Sequence, residues 1–296
     1  MNISSSSLSL QLATFRSQAL GALINSNSPG NDKDLWAAAS GQFSASSGTT
    51  DALSMLTSAG EAMSLPVAGR NLALFDPESA YRMMSVINSN DVSYKAQFAE
   101  MSEMKSYLVQ MQAAGQSLGS IDASTSNQGV AARLQDFVGQ YNGWVERFNP
   151  DMQDSGLLAG TQAAQVSRYE LDQSIKNVFN GASDGVHGLA DLGIVIDPAS
   201  GLASLDSGKL DALLASNRSG AVNALHQFSA NFSKSASLLN SDGNFIPNRL
   251  NNLSKVIDYF AENKAALQSE FGSGDVARPR GQVAQALAAY NQRFGG

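Results

Sequence analysis

The spacing of apolar residues constrains the fold more than any other feature of the sequence. After Asp76, apolar residues recur every three or four positions through most of the chain. This is the repeat of a helix that buries one face. The run Asp76-Pro77-Glu78 supplies a helix start, with a capping aspartate, a proline in the first turn and an acidic residue after it. The sequence therefore predicts a mainly α fold, a helical bundle with a coiled-coil-like core.

The first predicted helix extends from Asp76 to Leu118. The polar run 88–91 is compatible with an interruption, in which Asp91 would cap the second half. The helix carries an apolar stripe rich in methionine, whose flexible thioethers suit adaptable contacts. The stripe consists of Tyr94, Phe98, Met101, Leu108 and Met111. We predict that it is a partner-binding surface, which pairs with a helix of a second copy or of a relative; packing inside a bundle is the alternative.

The remaining chain alternates between helical repeats and breaks. Further helices are predicted over 129–149, 161–179, 206–217, 220–239, 247–271 and 283–294. In the helix over 129–149, one buried face is expected to hold the aromatic residues Phe137, Tyr141, Trp144 and Phe148. The segments 189–197 and 202–205 are short, apolar and partly β-branched, and the turn 198–201 separates them. They predict one small β-hairpin.

Composition divides the chain into three parts. Residues 1–75 are rich in Ser, Gly and Ala and hold only two weak helical repeats, over 8–23 and 51–63. Such segments rarely offset the entropy of ordering, so this extension is predicted to be largely disordered or conditionally folded. Residues 76–271 form the predicted helical core. Residues 272–296 are predicted to be a linker and a short C-terminal helix.

Charge and cysteine content exclude several classes of function. The net charge is −7, and the 19 Lys and Arg residues are scattered singly, which argues against nucleic acid as a partner. No run of 18 apolar residues occurs, so no membrane insertion is expected. The absence of cysteine rules out disulfides and thiolate chemistry. It fits either chance or a chain that is exported unfolded.

Catalytic and metal-binding motifs are also missing. His187 and His226 lack the spacing of a zinc site, and the turn after Asp197 lacks the further acidic ligands of a calcium loop. Neither a phosphate-binding glycine loop with its lysine nor a G-x-S-x-G elbow is found. The carboxylates of Glu100 and Glu103 are predicted to lie on a solvated helix face. We therefore expect no enzyme activity, no catalytic residue, no metal and no cofactor.

Four stretches of the chain resemble one known family in sequence and in order. They are 93–98 (SYKAQF), 137–142 (FVGQYN), 156–160 (GLLAG) and, most specific, 189–217. The chain resembles the flagellar hook-associated protein 2 family, the filament cap proteins, over residues about 93–270. In that family the last stretch is a hairpin that leads into a helix. The family's large insertion of β-rich domains before the FVxxYN helix is replaced here by a short polar segment.

The resemblance implies a non-catalytic, cap-like structural protein that acts through helical association. Its partners would be itself or flagellar axial proteins, and a type III export chaperone is a further candidate. It would be extracellular, in the bacterial flagellum, exported without a cleaved signal. The Ser-rich start over 1–7, which has no basic segment before an apolar core, agrees with such export. The alternative is a soluble adaptor or secreted interaction protein that retains the helical core, with a cytoplasmic location left open.

Overall fold

The computed structural model describes residues 68–177 and 185–295. The helices predicted over 8–23 and 51–63 lie outside these residues. The described elements are α1 (Pro77–Leu118), α2 (Asn127–Met152), α3 (Gln162–Lys176), β1 (Ile194–Ile196), β2 (Ala203–Leu205), α4 (Ser207–Ser216), α5 (Arg218–Asn240), α6 (Phe245–Phe271) and α7 (Gly281–Phe294). The prediction of a mainly α fold with one small β-hairpin is confirmed.

The chain divides into two compact units. The terminal unit consists of described residues 68–96 and 252–295, and the central unit of 97–177 and 185–251. Helices α1 and α6 each contribute residues to both. The segment 76–271, which the sequence predicts to be one helical core, thus contributes residues to both units.

Helix α1 starts where the sequence predicts. The Oδ1 atom of Asp76 accepts a hydrogen bond of 3.0 Å from the backbone N–H of Ser79, which caps the helix. The helix then continues without a break through the polar run 88–91. Asp91 caps nothing, because its carboxylate pairs with Lys95 one turn later, at 2.8 Å. The side-chain nitrogen Nδ2 of Asn88 donates to the carbonyls of residues 273 and 275.

The segment after α6 is fixed to α1 by close backbone contacts. Gly272 and Gly274 both have positive φ, 88° and 63°, a conformation that other residues adopt at a cost. A Cβ atom on Gly274 would lie 2.5 Å from the backbone nitrogen of Ser85. The Tyr81 hydroxyl donates to Asp275 at 2.9 Å. Within the terminal unit, the residues that the sequence suggests as a linker are therefore packed against a helix.

Helix α2 is longer than its sequence signals suggest. It begins after Ser126, whose Oγ accepts from the N–H of Gly129 at 3.1 Å. It does not end at Asn149, as predicted, but continues through Pro150 to Met152. Proline removes one backbone donor, and an ion pair of 3.0 Å between Arg147 and Asp151 spans this turn.

The later helices begin close to their predicted starts. The Oδ1 atom of Asp206 caps α4 by accepting from the N–H of Lys209 at 3.0 Å. Helix α5 starts at Arg218, directly after Asn217, whose Oδ1 accepts from the N–H of Gly220 at 3.0 Å. The sequence places this start two residues too late, because the asparagine cap allows α5 to follow α4 without a loop.

The core of the central unit is built around aromatic rings. The predicted buried face of α2 is confirmed, since Phe137, Tyr141, Trp144 and Phe148 are all 3% exposed or less. Phe137 makes edge-to-face contacts with two rings of α5, at centroid distances of 5.1 and 5.0 Å. Helix α5 also packs against α3 and α4, so that the helices surround one apolar interior.

Candidate interaction surfaces

The β-hairpin is held on α2 by two neighbouring side chains. Strands β1 and β2 pair antiparallel, with Val195 opposite Ser204. The amide nitrogen Nδ2 of Asn142 donates to the carbonyl of Ala203 at 2.9 Å, and Oδ1 accepts from the N–H of Ala203 at 2.7 Å. The Tyr141 hydroxyl donates to the carbonyl of Gly201 at 3.1 Å. The FVGQYN stretch and the hairpin stretch thus form one packed feature.

Burial fixes the protonation state of this anchor. The surrounding protein raises the pKa of Tyr141 to about 12, mainly by desolvation, with the charge of Asp172 acting in the same direction. The phenol therefore stays protonated and remains a donor at any physiological pH. The two stretches lie about 60 residues apart in sequence, so no local pattern could show that they meet.

The predicted partner-binding stripe lies mostly inside the protein. Met101, Leu108 and Met111 are 0% exposed and belong to the core of the central unit. Phe98 is partly buried, and Tyr94 stacks on Phe260 in the terminal unit with a centroid distance of 6.2 Å. For these three buried residues, Met101, Leu108 and Met111, the structure shows the alternative to partner binding, which is packing inside the chain's own bundle. The partner-binding role of the stripe stays a prediction. In the folded chain, Tyr94 and Phe98 are the members of the stripe that could contact a partner at the surface.

Three carboxylates converge on one guanidinium in the central unit. Atom Nη2 of Arg147 lies 2.6 Å from Glu100 Oε2 and 2.9 Å from Glu103 Oε2, and Nη1 lies 3.0 Å from Asp151 Oδ2. Glu100 is 6% exposed and Asp151 is 2% exposed. The prediction of a solvated face was therefore wrong for Glu100. Sequence reasoning missed this cluster because Arg147 is 47 residues away from Glu100.

The cluster holds more negative than positive charge. Burial raises the pKa of Glu100 to about 7; the charge of Arg147 opposes this shift, and that of Asp151 adds to it. Burial alone would lower the pKa of Arg147, but hydrogen bonds and charges from Glu103 and Glu100 raise it, so the guanidinium stays charged. Glu100 is accordingly the member of the cluster that exchanges a proton near neutral pH.

The Glu100→Gln variant should lose part of the pH dependence of stability. The folded chain holds the Glu100 proton up to about pH 7, because the pKa of this carboxyl is raised to about 7 from its ordinary value of 4.5. The stabilisation is therefore complete at low pH and is lost as the pH rises through 7. We expect the free energy of unfolding to fall between pH 5 and pH 8 by about 1 to 3 kcal/mol more in the parent than in the variant. Urea unfolding at both pH values measures this.

The matched control is Glu146→Gln, an exposed carboxylate of α2 that directly precedes Arg147 in sequence. It should keep the parent's pH dependence. Equal slopes for the parent and Glu100→Gln would show that Glu100 is ionised in the folded chain at pH 5.

The comparisons with known proteins decide the family. The family model for the flagellar hook-associated protein 2 C-terminus matches residues 107–274, more than half of the chain. The chain belongs to this family. The resemblance predicted over residues about 93–270 is thereby confirmed. The matched segment contains the whole hairpin anchor and the helices α4, α5 and α6.

A solved structure is also similar to part of the chain. The crystal structure of the D1-D2-D3 domains of the flagellar cap protein FliD from Escherichia coli is similar at 22% sequence identity and a TM-score of 0.37. The match covers 47% of this chain and 37% of that one, so the chain spans little more than a third of the matched structure's length. No curated protein sequence matches the chain.

In this member of the hook-associated protein 2 family, the connection between α1 and α2 is short and is held by hydrogen bonds to Arg218. Atom Nε of Arg218 donates to the carbonyl of Ala123 at 3.0 Å, Nη1 donates to Asn127 Oδ1 at 2.7 Å, and Nη2 donates to the carbonyl of Thr125. Asp122 Oδ1 accepts from the N–H of Thr125 at 2.9 Å within the same turn. The resemblance implies inserted β-rich domains at this point of the chain. In this structure the point is instead a short turn, which Arg218 of α5 holds by hydrogen bonds.

The side chains that could hold a metal ion are engaged elsewhere or stand apart in the described part of the chain. Among residues 68–177 and 185–295, no group of three or more His, Cys, Asp or Glu side chains could hold a metal ion. The Asp197 carboxylate is used inside its own turn, where it accepts from the N–H groups of Ala199 and Ser200. His226 Nε2 lies 2.6 Å from the carbonyl of Ile121. Across the same described ranges, every helix is too short or too polar to span a bilayer.

Proposed function

We propose that the chain is a non-catalytic structural or assembly protein of the bacterial flagellum, related to the filament cap. It would be exported without a cleaved signal and would act outside the cell, associating through helices with itself or with flagellar axial proteins. The observation that carries this proposal is the family match over 107–274. The anchor of the hairpin on Tyr141 and Asn142 supports it, because it joins two of the stretches on which the resemblance depends.

The short α1–α2 connection limits the proposed role. Only residues 119–126 separate the two helices, and Arg218 holds this turn closed. A full-length cap protein would carry domains at this point, which the chain lacks. We propose that it therefore cannot replace a full-length cap in filament growth and that its contacts with partners use helices.

The same observation favours a second candidate function. A chain that keeps the helical core and has a closed turn in place of the inserted domains could be a soluble adaptor for one partner. A type III export chaperone would then be a candidate partner, and the protein would remain in the cytoplasm or be secreted without joining a filament.

Cell fractionation separates the two candidates. The full chain, with an epitope tag, is measured in sheared flagella, culture supernatant and cytosol of its own bacterium, and of a mutant that lacks the flagellar export apparatus. The flagellar role predicts protein in the sheared fraction that disappears in the export mutant, with a cytosolic enzyme as the control for lysis. Protein confined to the cytosol in both strains would contradict the flagellar role and support the adaptor.

A further inference from the structure

A run of exposed apolar residues stands directly before α1 in the terminal unit. Residues 72–75 are Leu-Ala-Leu-Phe, and the next residue is the capping Asp76. Each of the four is at least partly exposed, and Leu72 and Phe75 are 62% and 86% exposed. Several consecutive exposed apolar residues are unfavourable in water and are kept in proteins mainly where they bind something. We call residues 72–75 the apolar run.

Hydrogen bonds hold the apolar run in one backbone conformation. Atom Nδ2 of Asn71 donates to the carbonyls of Ser269 and Glu270 at the end of α6, at 3.1 Å each. Its Oδ1 accepts from the N–H of Ala73 at 3.1 Å, and its carbonyl accepts from the N–H of Leu74 at 3.2 Å. The run is thus an ordered turn fixed to a helix. A surface that is already ordered loses little entropy when it is covered.

The path of the chain places one predicted helix next to the apolar run. The carbonyl of Gly69 accepts from the N–H of Ser273 at 2.8 Å, so the chain is fixed three residues before the run begins. The predicted helical segment nearest in sequence is 51–63, and the eight residues 64–71 connect it to the run. A flexible chain of eight residues spans about 16 Å on average. The segment 51–63 is therefore confined to the neighbourhood of the run.

The segment 51–63 has an apolar side that needs a surface. Leu53, Leu56 and Met63 lie on one side of the predicted helix. A helix this short is marginal in water unless its apolar side is packed. Pro66 follows closely and favours a turn, which allows the chain to fold back on itself. The segment and the run therefore each have an apolar surface that the other can cover.

The length of the connection decides between this segment and other occupants. A short linker gives an effective concentration in the millimolar range. A second copy of the chain at micromolar concentration is about a thousandfold more dilute. The predicted helix 8–23 is separated from the run by the 48 residues 24–71, which lowers its effective concentration about fifteenfold relative to 51–63. The segment 51–63 is accordingly the favoured occupant.

We propose that residues 51–63 pack as a helix on the apolar run of their own chain. The side chains of Leu53 and Leu56 cover the exposed side chain of Phe75. This cover withholds an apolar surface from other proteins until the segment is displaced. The proposal goes beyond the flagellar role and does not depend on it, because it stands on the exposed run and on the length of the connecting segment.

Disulfide formation tests the contact, because the natural chain has no cysteine. The full chain receives Gly60→Cys, on the apolar side of the predicted helix, and Ala73→Cys, at an exposed position of the run. Equilibration with reduced and oxidised glutathione measures the effective concentration of the two thiols. Mass spectrometry separates disulfides within one chain from disulfides between chains. We expect the disulfide to form within the chain.

Charges on the two sides of the predicted helix supply the decisive comparison. In this cysteine pair, Leu53→Asp with Leu56→Asp should lower the effective concentration by about tenfold or more, because the contact is lost and the connection alone remains. Ser54→Asp with Ser58→Asp adds the same charge on the opposite side of the predicted helix. It should leave the effective concentration unchanged.

A second pair of variants changes the run. Phe75→Ser should also lower the effective concentration, because it removes the most exposed apolar side chain of the run. Val276→Ser removes an apolar side chain of the same unit that is 82% exposed and lies outside the run. It should have no effect. Both positions are exposed, so both variants should keep the circular dichroism spectrum of the parent.

Three outcomes would each overturn the proposal. Equal effective concentrations in the two doubly charged variants would show that the connection alone brings the thiols together. Disulfides mainly between chains would assign the run to a second copy. A higher effective concentration for Ala19→Cys paired with Ala73→Cys would assign it to the segment 8–23. All three leave the fractionation experiment untouched, so that failure of this contact and failure of the flagellar role remain distinguishable.

Discussion

Changing Met101 and Leu108 together to Asp is expected to unfold the central unit. Both side chains are 0% exposed and lie in its core. An unpaired carboxylate in such a place costs several kcal/mol, even after its pKa shifts to keep it neutral. Two of them approach or exceed the roughly 5 to 15 kcal/mol that stabilises a domain. Loss of the helical signal in circular dichroism, with no cooperative urea transition for this unit, is the expected measurement.

The control is Val109→Asp, which places the same charge on the same helix at a position 51% exposed. It should unfold at nearly the parent's urea concentration. A double variant that keeps the parent's unfolding transition but loses self-association in sedimentation would contradict us. It would show that the stripe of α1 pairs with another chain, as the sequence predicts, rather than with its own.

Trp144→Ala is expected to destabilise the protein by about 3 to 5 kcal/mol. The ring is 1% exposed and lies 5.9 Å from the ring of Phe148, centroid to centroid. Its removal leaves a cavity in a close-packed interior, and neighbours relax only partly into such a space. Urea unfolding at constant pH measures the change as a shift of the midpoint with an unchanged slope.

Trp144→Phe serves as the matched control. It keeps an aromatic ring and removes Nε1, a buried donor without a hydrogen-bond partner. The loss of volume is therefore offset in part by the loss of an unsatisfied group, and the cost should be well below that of the alanine variant. A cost below about 1 kcal/mol for Trp144→Ala would show that the ring is not part of the core.

Local sequence signals predicted the helices well, but they could not predict contacts between residues that are far apart in the sequence. The caps at Asp76 and Asp206 are visible in sequence, because each side chain bonds a backbone N–H three residues later. The partners of Asn142 and Arg147 are not visible in this way. They lie 61 residues away for Asn142 and up to 47 for Arg147, and only the tertiary path of the chain brings them together.

The stripe on α1 shows a second limit of sequence reasoning. Helical spacing indicates that one face is buried, but an interior of the same chain and a partner's helix produce the same spacing. The spacing of Met101 and Met111 therefore could not show whether they are buried inside the chain, as the structure has them, or paired with a partner's helix. The division into units was hidden for a similar reason: α1 runs through residue 96 without any change in its pattern.

The amide of Asn142 has a consequence for how this protein can associate. It reproduces the donor and acceptor of a single peptide group, so that it acts as a third strand only one residue long along β2. An unpaired edge strand of a sheet can pair with strands of other molecules, which is a common origin of fibrous aggregates. Here Asn142 already occupies that edge at Ala203 of β2. The hairpin is therefore a poor template for a foreign strand on that side, even where many copies of the chain lie close together.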